Sequence, residues 1–252
     1  MDQTNPTNPT NPTNPVSPAR KPLNAYKALF FDAGDTLITV PGDLNIFHAY
    51  LAEHSLIREA DRVGQVLTTA IRKHYVDKPL AVDELCSPES DRLFWTGIYK
   101  DVLSELGAPE EWSEQQIEEC SLGLYKEFLS PCHYRLFPDV RSNLERLKAM
   151  GFRLGLVSNF STGLRDILAD KGILDFFDPV VISVEVGMEK PNPNIFKLAL
   201  SLAELDASDV LYIGDHEIND LWAPAQVGID SRRIKRYDYH TGEGMTSLDE
   251  LV

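Results

Sequence analysis

The chain has 252 residues, 24 Lys+Arg against 39 Asp+Glu for a formal charge of −15, and 43% apolar residues. That suits one large domain or a core with an insertion, since domains commonly run to ~100–200 residues, and the acidic balance argues against nucleic acid, whose phosphate backbone is bound through Lys and Arg. No stretch approaches the ~18 apolar residues of a membrane span, no basic-then-apolar leader is seen, and Cys86, Cys120 and Cys132 form no paired motif, so a cytoplasmic protein without a membrane partner is expected.

Residues 4–15 are four copies of Thr-Asn-Pro. Proline at every third position prevents a helix and the tract has no face to bury, so residues 1–22 are expected to form a disordered tail. Ala28 to Phe31 then make a short apolar run that stops at Asp32 and a glycine-containing turn, the pattern of a strand buried on both faces. Residues 41–133 change character. Ile46, Tyr50 and Leu51, then Val66, Leu67, Ala70 and Ile71, then Leu93, Phe94, Ile98 and Leu103 recur at helical spacing with no convincing strand between them.

Beyond this stretch strands and helices alternate. Val140, Leu144, Leu147 and Met150 predict a helix with Asp139 as N-cap and Gly151 as stop. A strand over Phe152 to Phe160 leads to a helix from about Thr162 to Asp170. Another helix follows Asn192-Pro193, with proline at its first position and Phe196, Ala199, Leu200 and Ala203 as its stripe. Asp209 to Asp215 form the next strand, and Pro224 is expected to end or kink the helical stretch after it. The fold class is therefore α/β: a Rossmann-like parallel sheet core flanked by helices, from residues 23–40 and 134–252, with an inserted all-α cap over 41–133.

In an open parallel sheet ligands bind beyond the carboxyl ends of the strands, and those ends hold Asp32, Thr36, Ser158, Asn159, Lys190, Asp215 and Asp220. They fall in four segments: FFDAGDTL (Phe30 to Leu37), LVSN (Leu156 to Asn159), MEKPNP (Met188 to Pro193) and YIGDHEIND (Tyr212 to Asp220). With all four in this order, the chain resembles the haloacid dehalogenase superfamily of hydrolases, in its form with a helical cap. The resemblance implies that Asp32 is a nucleophile forming an aspartyl-phosphate, and that Mg²⁺ is held by Asp32, the Gly34 carbonyl and Asp215, with Asp220 close behind. It implies that Ser158 and Lys190 serve catalysis and, with Thr36 and Asn159, a small phosphorylated substrate.

One position departs from the pattern. Phosphatases of this superfamily usually read Asp-x-Asp-Gly-Thr, with the second Asp as general acid and base; here that place is Gly34, and the carboxylate stands one residue on, at Asp35. A variant Asp-x-x-Asp-Thr is similar to the branch of haloacid dehalogenase-like hydrolase domain-containing protein 3. Two readings of Asp35 follow: Gly34 relaxes the backbone so that Asp35 serves as the acid, or Asp35 caps what comes after. Three alternatives to a phosphatase stay open. One is a binding module that has lost turnover. The second is a 2-haloacid dehalogenase, whose first motif normally carries Tyr. The third is a phosphonate-cleaving enzyme, which needs a cap lysine such as Lys73, Lys78 or Lys100. Cap residues His48, His54, His74, Arg92, Trp95 and Tyr99, and the loop residues His216 and Glu217, are further candidates for substrate contact. The oligomeric state is not legible.

Overall fold

The computed structural model describes residues 21–76 and 86–251. The Thr-Asn-Pro tract and Lys78 lie outside them. Lys21 and Pro22, assigned to the tail from sequence, belong with the folded part: Lys21 pairs with Asp230 at 2.9 Å and its carbonyl accepts a hydrogen bond from Arg232.

Strand β1 (Ala28–Phe31) is buried at every position, as its unbroken apolar run requires. It leads through a turn to β2 (Ile38–Thr39) and then to helices α1 (Asp43–Glu53), α2 (Ala60–Ile71), α3 (Pro88–Glu105) and α4 (Glu114–Phe128). The chain returns through β3 (Arg135–Leu136), which pairs antiparallel with β2, so the two crossings run side by side. The sequence α5 (Val140–Ala149), β4 (Arg153–Ser158), α6 (Leu164–Asp170), β5 (Val180–Ile182), α7 (Ser183–Val186), α8 (Asn194–Ala203) and β6 (Val210–Gly214) follows. A π-helical turn (Glu217–Trp222) runs into α9 (Ala223–Ala225), where Pro224 sits in the first turn, and β7 (Asp230–Arg233) closes the sheet.

The sheet order is β5-β4-β1-β6-β7 and every pairing is parallel, which makes the α/β, Rossmann-like class plain. The chain steps outward from β1 through β4 to β5, then returns to the other side of β1 with β6. That reversal opens a crevice at the carboxyl ends of the central strands. Alternation along β1 divides the core: Leu29 and Phe31 pack with α5 and α6, while Ala28 and Phe30 pack with α8. The described helices between β2 and β3 bury a cluster of their own, including Phe47, Leu51, Val63, Leu67, Ile98, Val102 and Leu124. No helix among the described residues is long and apolar enough to cross a membrane.

Several local expectations are corrected. Asp139 stands at the N-cap position of α5 but its side chain makes no cap; Arg236, Ser247 and the Leu248 amide, at 2.6–2.9 Å, draw it away. Pro193 is the N-cap residue of α8 and not its first helical residue, while Asn192 accepts a hydrogen bond from the Asn194 amide. Met150 and Leu93, placed on apolar stripes, are exposed because each lies at an element edge or outer face. β5 and β7 were not foreseen: the first is three residues long, and the second reads Asp-Ser-Arg-Arg, a polar edge strand with no apolar run to reveal it.

Candidate active site

Asp32 follows β1 and its amide continues the ladder to the Ile213 carbonyl at 2.9 Å, which fixes the backbone from which its carboxylate projects. Asp215 follows the adjacent β6. Asp220 comes from the π-helical turn and is 1% exposed. The last residue of β6 must be glycine for this to happen, since a Cβ at Gly214 would overlap the Asp220 carboxylate. Among the described residues, Asp32, Asp215 and Asp220 form a cluster whose carboxylate oxygens lie within 4.8 Å of one another.

Lys190 enters this cluster from the loop after α7. Its Nζ donates to Asp32 Oδ1 at 2.7 Å and Asp220 Oδ1 at 2.6 Å, and lies 3.0 Å from the Tyr212 hydroxyl. Burial disfavours the charge of Lys190, but Asp220 and Asp32 hold its pKa above the ordinary lysine range. Burial drives the Asp32 carboxyl upward against the pull of Lys190, and the Asp220 charge adds to the rise. Asp215 is the less compensated member. Burial and the charges of Asp32, Asp220 and Asp35 push it up to about 8, and His240 Nε2 is 3.9 Å from one of its oxygens. Three carboxylates and one ammonium leave a net negative site of hard oxygen donors, which fits a small divalent cation.

Asn159, expected at the substrate, contacts the loop that carries Lys190. Its amide nitrogen donates to the Lys190 carbonyl and its amide oxygen accepts from the Lys190 N–H, both at 2.7 Å, so the side chain is engaged in holding the lysine loop. Ser158 is buried at the end of β4 and acts on the Asp32 carboxyl, lowering its pKa through a hydrogen bond. Thr36 is fully buried and its hydroxyl has no hydrogen-bond partner among the described residues, while its carbonyl accepts from Arg236. Asp35 does not cap a helix. Its amide closes a turn to the Ile38 carbonyl and its carboxylate accepts a 2.7 Å hydrogen bond from Tyr237. Gly34 has an unexceptional φ; the left-handed residue is Asp35, at +50°, so the idea that glycine freedom re-aims the carboxylate is corrected.

Other candidates have structural partners. His216 Nδ1 accepts from the amides of Ile218 and Asn219, and Glu217 pairs with Arg233. His48 bonds the Arg58 carbonyl, His54 stacks on Tyr50, His74 pairs with Asp101, and Tyr99 is buried in the helical cluster. Burial pushes the thiols of Cys86 and Cys120 up to about 11, far from thiolate chemistry at neutral pH. The sequence reading did not single out Tyr212, whose signal was its place in YIGD, nor Arg236, Tyr237 and His240, for which no motif stood out.

A family model of haloacid dehalogenase-like hydrolases matches residues 26–228, and the chain belongs to that family. It is 28% identical to haloacid dehalogenase-like hydrolase domain-containing protein 3 of Danio rerio, over 83% of this chain and 85% of that protein. It is 26% identical to the pyrimidine 5'-nucleotidase YjjG of Escherichia coli, over 88% and 95% respectively. Among solved structures, the HAD-hydrolase YfnB of Bacillus subtilis superposes with a TM-score of 0.68 at 18% identity, covering 90% of this chain and 96% of that one, which shows the shared fold.

Proposed function

We propose that the protein is a Mg²⁺-dependent phosphatase that cleaves a small phosphorylated metabolite through an aspartyl-phosphate on Asp32, beneath a cap formed by the helices between β2 and β3. The observation that carries this reading is the Asp32 carboxylate at the switch point of the sheet, held by Lys190 and flanked by Asp215 and Asp220. The nucleotidase relative supports phosphate esters as the substrate class.

In this reading an Asp32 oxygen attacks phosphorus, a P–O bond to Asp32 forms, and the bond to the leaving alkoxide breaks. Asp35 delivers a proton to that alkoxide and then takes one from the water that attacks the phosphorus and frees Asp32. Lys190 orients Asp32 and offsets charge on the phosphoryl oxygens; Ser158 donates to one of them. Asp32, the Gly34 carbonyl and Asp215 would hold the Mg²⁺, with Asp220 fixing Lys190 beside it, and the bound ion neutralises charge gathering on the phosphoryl group. Asn159 serves by steadying Lys190.

The test is phosphate release from an aryl phosphate and from acetyl phosphate, whose leaving groups need little protonation, with Mg²⁺ or EDTA. Turnover is expected with Mg²⁺, to vanish in EDTA and to fall by at least about 10³ in Asp32→Asn, which keeps the shape but removes the nucleophile. Mg²⁺ binding without release from either compound would instead make this a ligand-binding member of the family.

A further inference from the structure

The segment after β7 reaches the site from the far end of the chain. It is anchored at both ends: the Ile234 amide continues the ladder to the Gly214 carbonyl at 2.9 Å, and Lys235 and Met245 bond through their backbones. Between these anchors, the Arg236 guanidinium donates twice to the Thr36 carbonyl, at 3.0 and 2.8 Å, and once to Asp139 at 2.8 Å, and it lies 4.4 Å from the centre of the Phe137 ring. The Tyr237 hydroxyl donates to Asp35 Oδ1 at 2.7 Å and lies 2.6 Å from the Thr39 hydroxyl, which is left to act as donor.

These partners share a location. Asp35, Thr36 and Thr39 belong to the outgoing crossing from β1 to the helices; Phe137 and Asp139 belong to the returning one. The crossings hold each other through the short β2–β3 pairing, Ile38 with Leu136 and Thr39 with Arg135, and through the Phe137 amide, which donates to the Leu37 carbonyl at 3.1 Å. Asp35 also carries a left-handed backbone, which aspartate enters more readily than most residues and which its surroundings help to hold. The hydroxyl of Tyr237 supplies that restraint at the carboxylate itself, from an element more than 200 residues away.

We propose that Arg236 and Tyr237 are positioning residues: they clamp the loop after β1 and the first crossing, and thereby aim the Asp35 carboxyl at the substrate. The inference rests on the phosphatase reading and adds to it a dependence on the C-terminal segment. Tyr237→Phe tests it, because it deletes one oxygen and keeps the ring packed on Phe137. In the Mg²⁺-loaded protein, kcat is expected to fall about tenfold with KM changed less than about twofold, the split of a lost orientation and not of lost binding. The double variant Asp35→Asn/Tyr237→Phe is expected to be no slower than Asp35→Asn alone, since asparagine tolerates the left-handed backbone and the two residues act as one unit. Unchanged kcat in Tyr237→Phe, or losses that multiply in the double variant, would overturn the proposal.

A second measurement is independent of turnover. Amide hydrogen exchange over residues 35–39 is expected to quicken in Tyr237→Phe and, less, in Thr39→Val, with the rest of the sheet unchanged. If the wild-type protein releases no phosphate, the phosphatase reading fails while faster exchange still supports the clamp; exchange equal to wild type in both variants overturns the clamp.

Discussion

Asp35 and Gly34 show how one inserted step in a motif is resolved by backbone conformation. The left-handed φ of +50° lies at Asp35, and aspartate is among the few residues with a side chain that enter this region readily. Gly34 has no such need, and a Cβ built there meets nothing within 4 Å. There is therefore room for a carboxylate at the position where phosphatases of the family usually carry their acid. Because Asp35 fills that role in the proposed reaction, Gly34→Asp is expected to change alkyl and aryl phosphate turnover by less than about twofold, whereas Asp35→Asn is expected to slow the alkyl phosphate by roughly 10²–10⁴ and the aryl phosphate much less, since a general acid contributes most where the leaving group is poor. A rise of about tenfold or more in alkyl phosphate turnover in Gly34→Asp would show that Asp35 does not supply the proton.

At the level of elements, the site depends on loops held by side chains more than on the strands that begin them. Lys190 lies in no regular element. Asn159, just after β4, donates to the Lys190 carbonyl and accepts from the Lys190 N–H, which fixes the backbone on both sides of that residue. Asn159→Ala leaves the part-buried N–H and C=O of Lys190 without their side-chain partner, which costs about 1 kcal/mol or more, and lets the ammonium wander from Asp32. The expected result is a lower urea midpoint together with a kcat reduced by about tenfold, whereas a midpoint shift with unchanged kcat would mean that Lys190 is held adequately by Asp32 and Asp220 alone. The same elements show what sequence patterns reveal. β1, β4 and β6 announce themselves as apolar runs ending in polar residues, and α5 and α8 as stripes. β5 and β7 do not, one being too short and the other a polar edge.

For the whole molecule, three strand ends meeting at one crevice concentrate negative charge, and this links cation binding to pH. Burial and the charges of Asp32, Asp220 and Asp35 raise Asp215 from an ordinary 3.8 to about 8. A carboxyl raised on folding favours the folded state most fully below 3.8, and that contribution fades as pH climbs through about 8. A cation needs the ionised form, so at pH 6 it must displace a proton and at pH 9 it need not. The rise in melting temperature on adding Mg²⁺ is expected to be larger at pH 9 than at pH 6, and this difference is expected to shrink in Asp215→Asn, with Asp32 supplying what remains. A Mg²⁺ effect that is the same at both pH values would place the cation away from Asp215.

What the sequence alone determined is the set of features written locally in the chain: strand, polar stop, helix, repeated so as to dictate a parallel sheet and to put Asp32, Ser158 and Asp215 at neighbouring strand ends. Lys190 and Asp220 were legible through motifs close to those strands. Tertiary structure alone decided the partnerships between distant segments: Asn159 with the lysine loop, Asp139 with Arg236 instead of its own helix, and Tyr237 with Asp35 across 202 positions. A side chain's hydrogen-bond partner depends on which backbone is brought within about 3 Å of it. Periodicity within one segment carries no information about that until the sheet order has joined the two ends of the chain.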